Sequence, residues 1–407
     1  MTTKNNISAG YKDSAVGVVP KDWKVYDFRD IASISKEKYT PSDSSCMPCV
    51  ELEHISQGDG VLLGSTEARL QKSTKNVFKK GCVLFGKLRP YLRKYLHVDF
   101  DGVCSSEIWV LSANENICSN EYLYRLVSSD KYIQCANVSI GSKMPRADWN
   151  FVSITPFPVP PMEEQRKIAE ILGVWDEAIE KQSRLIEKLE LRKRALMQRL
   201  LTGRTRLPGF TTPWQKAAYS EVLKEVKRTM TWNDDEEYDL ISVKRRSGGL
   251  FHRERLYGRD IKTKNLRPAK CGDFLISKMQ IVHGASGLVT EEFDGMKISG
   301  SYIALVAKNR DMVDMNFINW YSKTPYFYHQ TYVSSYGVHI EKMTFDLESF
   351  MSMTICIPSL PEQKAIAEVL TTADDEIATH RKKLDALRLQ KRGLMQQLLT
   401  GKTRVKI

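Results

Sequence analysis

Cys46 and Cys49 stand as a Cys-x-x-Cys pair, a spacing used for zinc and for redox work. No second ligand pair follows at zinc-like distance, so no metal site is assigned. The segment Gly81–Lys87, GCVLFGK, has the spacing of a phosphate-cradling loop. Leu88 occupies the place of the Ser or Thr that would bind magnesium, and the loop interior is apolar, which fits a buried strand instead. The seven histidines are scattered. No nucleophile–His–acid set and no nuclease-like carboxylate cluster is visible, so no catalytic residue is assigned.

The chemistry the chain does carry is cationic. Its formal net charge is +12, spread along 407 residues rather than gathered in a tail. A basic excess favours a polyanion, because each Lys or Arg set against a phosphate releases condensed counterions. Candidate contacts are basic side chains in loops. Lys87, Arg89, Arg93 and Lys94 stand around Pro90, and Lys143 and Arg146 flank Met144–Pro145. Further on, Lys244, Arg245 and Arg246 precede Ser247–Gly248–Gly249, followed by Arg253, Arg255, Lys278 and Lys342. Arginine is a bidentate reader of guanine and also a plain phosphate contact; the alternative for each is a solvated surface charge. Ser139–Gly141 and Tyr336–Gly337 with His339 read as equivalent Gly-containing loops.

The elements that must hold these loops are set by an internal duplication. EEQRKIAEILGVWDEAIEKQSRLIEKLELRKRALMQRLLTGRTR, from Glu163, returns as PEQKAIAEVLTTADDEIATHRKKLDALRLQKRGLMQQLLTGKTR, from Pro361, 198 residues on and without a gap. In the first copy Ile168, Leu172, Trp175, Ile179, Gln182, Ile186, Leu189, Lys193, Leu196 and Leu200 alternate steps of four and three. In the second, Ile366, Leu370, Ala373, Ile377, His380, Leu384, Leu387, Lys391, Leu394 and Leu398 do the same. That is an a/d seam, the pattern of a coiled-coil interface. Prolines precede each helix and Thr-Gly ends it. Roughly 40 residues at ~1.5 Å rise predict a rod of about 60 Å. The polar seam residues, Gln182 with His380 and Lys193 with Lys391, read either as a tolerated wet layer or as a register-fixing one.

The stretches before the helices are related more faintly. WKVYDFRDI from Trp23 and WQKAAYSEV from Trp214 align 191 residues apart, as do GCVLFGKL from Gly81 and GDFLISKM from Gly272. FDGVCSSEIWVL from Phe100 parallels FDGMKISGSYIALV from Phe293. Short β-rich runs between Gly, Asp and Ser predict mixed α/β globules. The expected fold is α+β, with two globules separated by two long helices in a pseudo-two-fold repeat. The sections are 1–160 (first globule), 161–206 (first helix), 207–358 (second globule) and 359–407 (second helix). The tail GKTRVKI repeats GRTRLPGF, so it should return to the start of the first globule.

VPPMEEQRKIAEIL from Val159, LIEKLELRKRALMQRLLTGRTRLPGF, SLPEQKAIAEVL with LMQQLLTGKTR, and FGKLRPYLRKY followed by FDGVCSSEIWVL strongly resemble the specificity subunits of type I restriction–modification systems. The resemblance covers essentially the whole chain. It implies two target-recognition domains, each reading half of a split, asymmetric double-stranded DNA site. The helices would pack antiparallel as a spacer and dock two modification subunits, which use S-adenosylmethionine to methylate adenine. Restriction subunits, ATP- and Mg-dependent translocases and nucleases, would join them. The chain itself would hold no cofactor. In the second globule FLISKMQIVHGASG departs from the Lys-Leu-Arg-Pro-Tyr form of the first.

Consistent with a non-catalytic role, the one Pro-Pro, Pro160–Pro161, lies between Val159 and Met162 and lacks the flanks of an adenine-methylase motif. A fused restriction–methylation enzyme is disfavoured on that ground. A coiled-coil scaffold with two protein-binding heads is the other rival; loss of binding at raised salt would favour DNA. Scattered cysteines and the lack of a signal-like amino terminus or a long apolar run make a cytoplasmic chain the expectation.

Overall fold

The computed structural model describes residues 9–41, 46–138 and 144–406. The chain forms two compact units, one made of residues 1–184 with 381–407, the other of 185–380. These units cut across the four sections read from sequence, because each long helix shares its two ends between them.

In unit 1 the strands are β1 (Lys24–Asp27), β2 (Ala32–Ile34), β3 (Pro48–Val50), β4 (Lys75–Phe78), β5 (Val83–Gly86), β6 (Tyr95–His97), β7 (Gly102–Cys104), β8 (Ile108–Ala113) and β9 (Pro156–Val159). Helices α1 (Asn120–Ser128) and α2 (Asp130–Ala136) follow β8, and α3 (Met162–Leu200) is the first long helix. One sheet runs β6-β5-β8-β2, all antiparallel. A second contains β4-β7-β3, with β7 and β3 parallel. β9 pairs with β1 and leads directly into α3.

The first sheet separates two cores, and the sequence says why. Val83 and Phe85 on β5, with Trp109 and Leu111 on β8, face a core shared with α1, α2 and the long helices. Leu84, Ile108 and Val110 point the other way, towards the second sheet. Side chains alternate along a strand, so a run apolar at every position is what a sheet covered on both faces needs. The strand at Val83–Gly86 is fully buried.

Unit 2 repeats the plan. Its strands are β10 (Gln215–Ala218), β11 (Leu223–Glu225), β12 (Glu237–Val243), β13 (Leu250–Tyr257), β14 (Leu266–Pro268), β15 (Phe274–Ser277), β16 (Ser286–Leu288), β17 (Lys297–Ser299), β18 (Tyr302–Ala307) and β19 (Thr354–Ile357). Helices α4 (Met315–Tyr321) and α5 (Pro325–Val333) occupy the places of α1 and α2, and α6 (Leu360–Leu399) is the second long helix. The sheet β11-β18-β15-β16 matches β2-β8-β5-β6 strand for strand. The alternation is kept too, with Phe274 and Ile276 on one core and Leu275 on the other. Unit 2 departs mainly in the long hairpin β12–β13.

Within each unit the start of one long helix packs against the end of the other. Ile168 and Leu172 share a core with Met395, Leu398 and Leu399. Leu200 shares one with Ile366 and Leu370. The seam positions Ile179, Ile186, Leu189, Ile377 and Leu384 are buried, while Trp175, Leu196, Leu387 and Leu394 are half-buried. Ion pairs give the direction. In unit 1 Glu164 meets Arg404 and Asp176 meets Lys391; in unit 2 Glu362 meets Arg206 and Asp374 meets Lys193. As the number rises on one segment it falls on its partner, so the packing is antiparallel.

Both helices stop where the sequence predicts. Gly203 and Gly401 are left-handed, with φ of 68° and 72°. A Cβ on Gly203 would press to 3.3 Å from the Trp214 ring, and one on Gly401 to 2.5 Å from Pro20. Glycine is required there by conformation and by close approach together. Beyond Gly401 the tail lies against the beginning of unit 1: Tyr11 Oη donates to the Gly401 carbonyl at 3.0 Å, and Arg404 forks onto Asp22.

Candidate nucleic-acid interface

In each unit a loop leaves the central strand and is fastened by the same two backbone bonds. After β5, Lys87 N–H donates to Glu107 O at 2.9 Å, and Ala147 N–H donates to Lys87 O at 2.8 Å. After β15, Lys278 N–H donates to Ser301 O at 2.9 Å, and Phe345 N–H donates to Lys278 O at 2.9 Å. Each loop then makes one 3₁₀ turn, Pro90–Leu92 or Ile281–His283, and leaves it through a left-handed residue. That residue is Arg93 (φ 52°) in unit 1 and Gly284 (φ 73°) in unit 2. The second loop keeps the lysine of Lys-Leu-Arg-Pro-Tyr, at Lys278, and both fastening bonds, but replaces the other four side chains, and Gln280, at φ −135°, does not share the left-handed backbone of Arg89.

The unit 1 loop gathers the cations that sequence grouped, yet gives them different work. Lys94 Nζ donates to the carbonyls of Leu52 at 2.5 Å and Ile55 at 2.9 Å, closing a neighbouring turn. Arg93 pairs with Asp130, which also receives Arg392 at 2.8 Å. Burial pushes the Asp130 carboxyl up, but the bonds from Arg392 and Arg93 outweigh it and hold its pKa below the usual value. Arg146 forks onto Glu107 at 3.1 and 3.3 Å. Arg89 is exposed, left-handed at φ 52°, and its guanidinium meets only the Met144 sulfur, at 3.6 Å, among the described residues. Lys87 is half-buried. Lys143 and the Ser139–Gly141 loop lie outside the described residues.

In unit 2 the β12–β13 turn presents Lys244, Arg245 and Arg246, all exposed. Arg246 and Ser247 are both left-handed, at φ 58° and 53°. Non-glycine residues hold that conformation at a cost of order 1 kcal/mol each, so something must fix them. Arg246 N–H donates to His283 O at 2.6 Å and Ser247 N–H to Gly284 O at 2.9 Å. Ser247 Oγ adds a hydrogen bond of 2.7 Å with Tyr328 Oη. The turn is therefore clamped to the 281–284 loop. Arg245 reaches Glu341 at 3.1 Å, beside the exposed Lys342. Lys278 is half-buried at the loop's root. Arg253 and Arg255 lie apart, on β13: Arg253 meets Glu254, and Arg255 forks onto Asp239 at 2.8 Å.

The junction of globule and helix is the part that sequence reasoning passed over. Glu164 and Glu362 are fully buried. Arg404 forks onto Glu164 at 2.7 and 2.8 Å, and Arg206 onto Glu362 at 2.5 and 2.6 Å. The adjacent glutamines are equally conserved between the copies. Gln165 accepts from Ser119 N–H and donates to the Ile117 and Pro160 carbonyls. Gln363 accepts from Asp314 N–H and donates to the Met312 and Pro358 carbonyls. The available signal was identity of polar residues at both ends of the repeat.

Among the described residues no group of His, Cys, Asp and Glu is placed to hold a metal. Cys49 is buried, and burial pushes its thiol up to about 12. Among the described residues no helix is long and apolar enough to cross a membrane.

The model of the type I restriction modification DNA specificity domain matches residues 20–191 and again 214–389. Over 97% of its length the chain is 24% identical to the putative type I restriction enzyme MjaX specificity subunit of Methanocaldococcus jannaschii, also covered to 97%. Over 44% of its length it is 30% identical to the HindI specificity subunit of Haemophilus influenzae, covered to 40%. A solved chain of a type I R-M system superposes with a TM-score of 0.61 at 21% identity, covering 95% of this chain and 99% of that one. The S subunit from M. genitalium gives 0.56 at 12% identity, with 98% of each chain covered. With two matched domains over most of its length, the chain belongs to the type I restriction–modification specificity subunits.

Proposed function

We propose that the two units read the two halves of a split, asymmetric duplex site, while modification and restriction subunits supply the chemistry. One observation carries this reading. The two units share strand order and loop fastening, yet differ in most side chains at the loop edge, Lys87–Lys94 against Lys278–Ala285. A common scaffold with different side chains at one edge is suited to two different base sequences. Phosphate contacts then give register and base-edge contacts give specificity.

The helices support docking of a partner present twice. Leu191 on α3 and Leu389 on α6 occupy the same position of the two copies and are 58% and 71% exposed. A large apolar side chain kept outward in both copies fits two identical modification subunits. Methyl transfer, S-adenosylmethionine, ATP and Mg would belong to the partners, and the complex to the cytoplasm.

The test is to map methylated adenines in cells carrying this chain with its modification subunit, then exchange residues 1–158 for another recognition domain. A split motif in which only one half changes is expected. Change in both halves, or methyl transfer by the purified chain alone, would refute the reading.

A further inference from the structure

Unit 2 carries a loop that is apolar where its own packing has no use for apolar side chains. Ser335–Tyr336 pairs antiparallel with Thr344–Phe345; Tyr336 at the strand end and Val338 and Ile340 in the tip are 66%, 95% and 49% exposed. The base of this hairpin is fixed. Met343 and Phe345 are buried, Phe345 N–H donates to Lys278 O, and Asp346 N–H donates to Ser334 O at 2.8 Å. At Gly337 a Cβ would stand 3.0 Å from Met343 Cα, so the two strands close tightly there. The tip has one carboxylate, Glu341, and it is met by Arg245 at 3.1 Å and by His283 at 3.3 Å. Those contacts tie the tip to the cationic turn of Lys244, Arg245 and Arg246, with Lys342 alongside.

A rigid base, a basic rim and an exposed aliphatic point suit one feature of duplex DNA above others. The 5-methyl of thymine is the apolar group on the base edges of the major groove. We propose that Val338, flanked by Ile340, is a specificity-determining residue that takes thymine by its methyl group. This rests on the reading of the chain as a DNA specificity subunit.

The experiment uses the chain in complex with its modification subunits and a duplex carrying its mapped motif. Each thymine of the half-site read by unit 2 is replaced in turn by deoxyuridine, which lacks only the methyl. At one position the wild-type complex should lose affinity by about three- to five-fold, the scale of one buried methyl. Val338→Ala should lose a similar factor on thymine DNA and show no further loss with deoxyuridine. Equal sensitivity of both proteins at every position, no sensitivity at any, or a half-site without thymine overturns the proposal. So does a base step unstacked by the wild type and not by Val338→Ala, seen by 2-aminopurine fluorescence without a deoxyuridine effect, which would make the loop a wedge. Absence of any mapped motif would instead strike at the DNA-specificity reading itself.

Discussion

Arg404 lies against Glu164, 240 residues earlier in the chain, with two hydrogen bonds of 2.7 and 2.8 Å onto a carboxylate that has no solvent exposure. Trp23 Nε1 donates to the same carboxylate at 2.9 Å. The pair joins the tail, the start of α3 and the first strand region within unit 1. Removing one partner of a buried pair leaves an uncompensated charge, which costs more than the pair contributes. Arg404→Met should therefore destabilise unit 1 by roughly 2–4 kcal/mol, the lower end reflecting the partial exposure of Arg404. Glu164→Gln, which keeps an oxygen for Trp23, should cost less. Denaturant unfolding of the full chain, followed by Trp fluorescence, measures both; equal costs would mean the charge is not what matters.

Arg125 and Gly173 form a pair that unit 2 replaces by Trp320 and Thr371. In unit 1 the guanidinium pairs with Asp176 and reaches the Ala169 carbonyl at 3.4 Å, and a Cβ on Gly173 would sit 3.5 Å from Arg125 Nη2. In unit 2 Trp320 Nε1 donates to Thr371 Oγ1 at 3.1 Å. Adding the two γ atoms of threonine at Gly173 alone should crowd the guanidinium and cost about 1–3 kcal/mol, as overpacking does. Arg125→Trp with Gly173→Thr should recover part of it through the transplanted bond. Additive costs in the double variant would show that the two positions are not coupled.

Periodicity made much of this molecule legible. The 3–4 steps from Ile168 and from Ile366 mark helices that bury most of those residues and half-bury the rest, and the all-apolar Val83–Phe85 run is a strand covered on both faces. The 191-residue offset aligned Lys87 with Lys278, and the same pair of backbone bonds fastens both. What periodicity could not reach was pairing at long range. Glu164 looks like an ordinary helix-start acid until Arg404 is beside it. Nor could it separate Lys94 from Arg89, five residues apart in one basic run, because their difference lies in which carbonyls stand nearby. Periodicity alone allows two readings of the polar seam. Lys391 is buried and paired with Asp176, so a slip of one turn would strand a buried ammonium, which favours the register-fixing one.

His97 gives unit 1 a dependence on pH near neutrality. Burial lowers its pKa below the ordinary 6.5, against the opposing pull of Glu121, and its Nε2 has no hydrogen-bond partner among the described residues. The unfolded chain then binds a proton at a pH where the folded unit does not. Stability from this group is full above about 6.5 and is lost as pH falls towards the folded value. Thermal unfolding between pH 7.5 and 5 should show a falling midpoint in the wild type. His97→Phe should flatten that slope whatever it does to the level, and an unchanged slope would assign the dependence to another group.

Arg89 and Lys94 offer the sharpest division between recognition and scaffold. Both are basic residues of one loop, but Arg89 is exposed with a sulfur as its partner, whereas Lys94 satisfies the carbonyls of Leu52 and Ile55. Arg89→Ala should leave the unfolding midpoint unchanged and weaken binding to DNA. If Arg89 meets a phosphate, the slope of log affinity against log salt falls by about one and all sequences suffer alike. If it meets a guanine, discrimination at one position drops by about 1–3 kcal/mol with the slope kept. Lys94→Met should do the reverse: two part-buried carbonyls lose the ammonium that joins them, unit 1 is destabilised by about 1–2 kcal/mol, and the salt slope is retained in protein that remains folded. Titrating both variants at several salt concentrations, beside their unfolding curves, decides it. A stable Lys94→Met with a reduced slope would move Lys94 from the scaffold to the DNA.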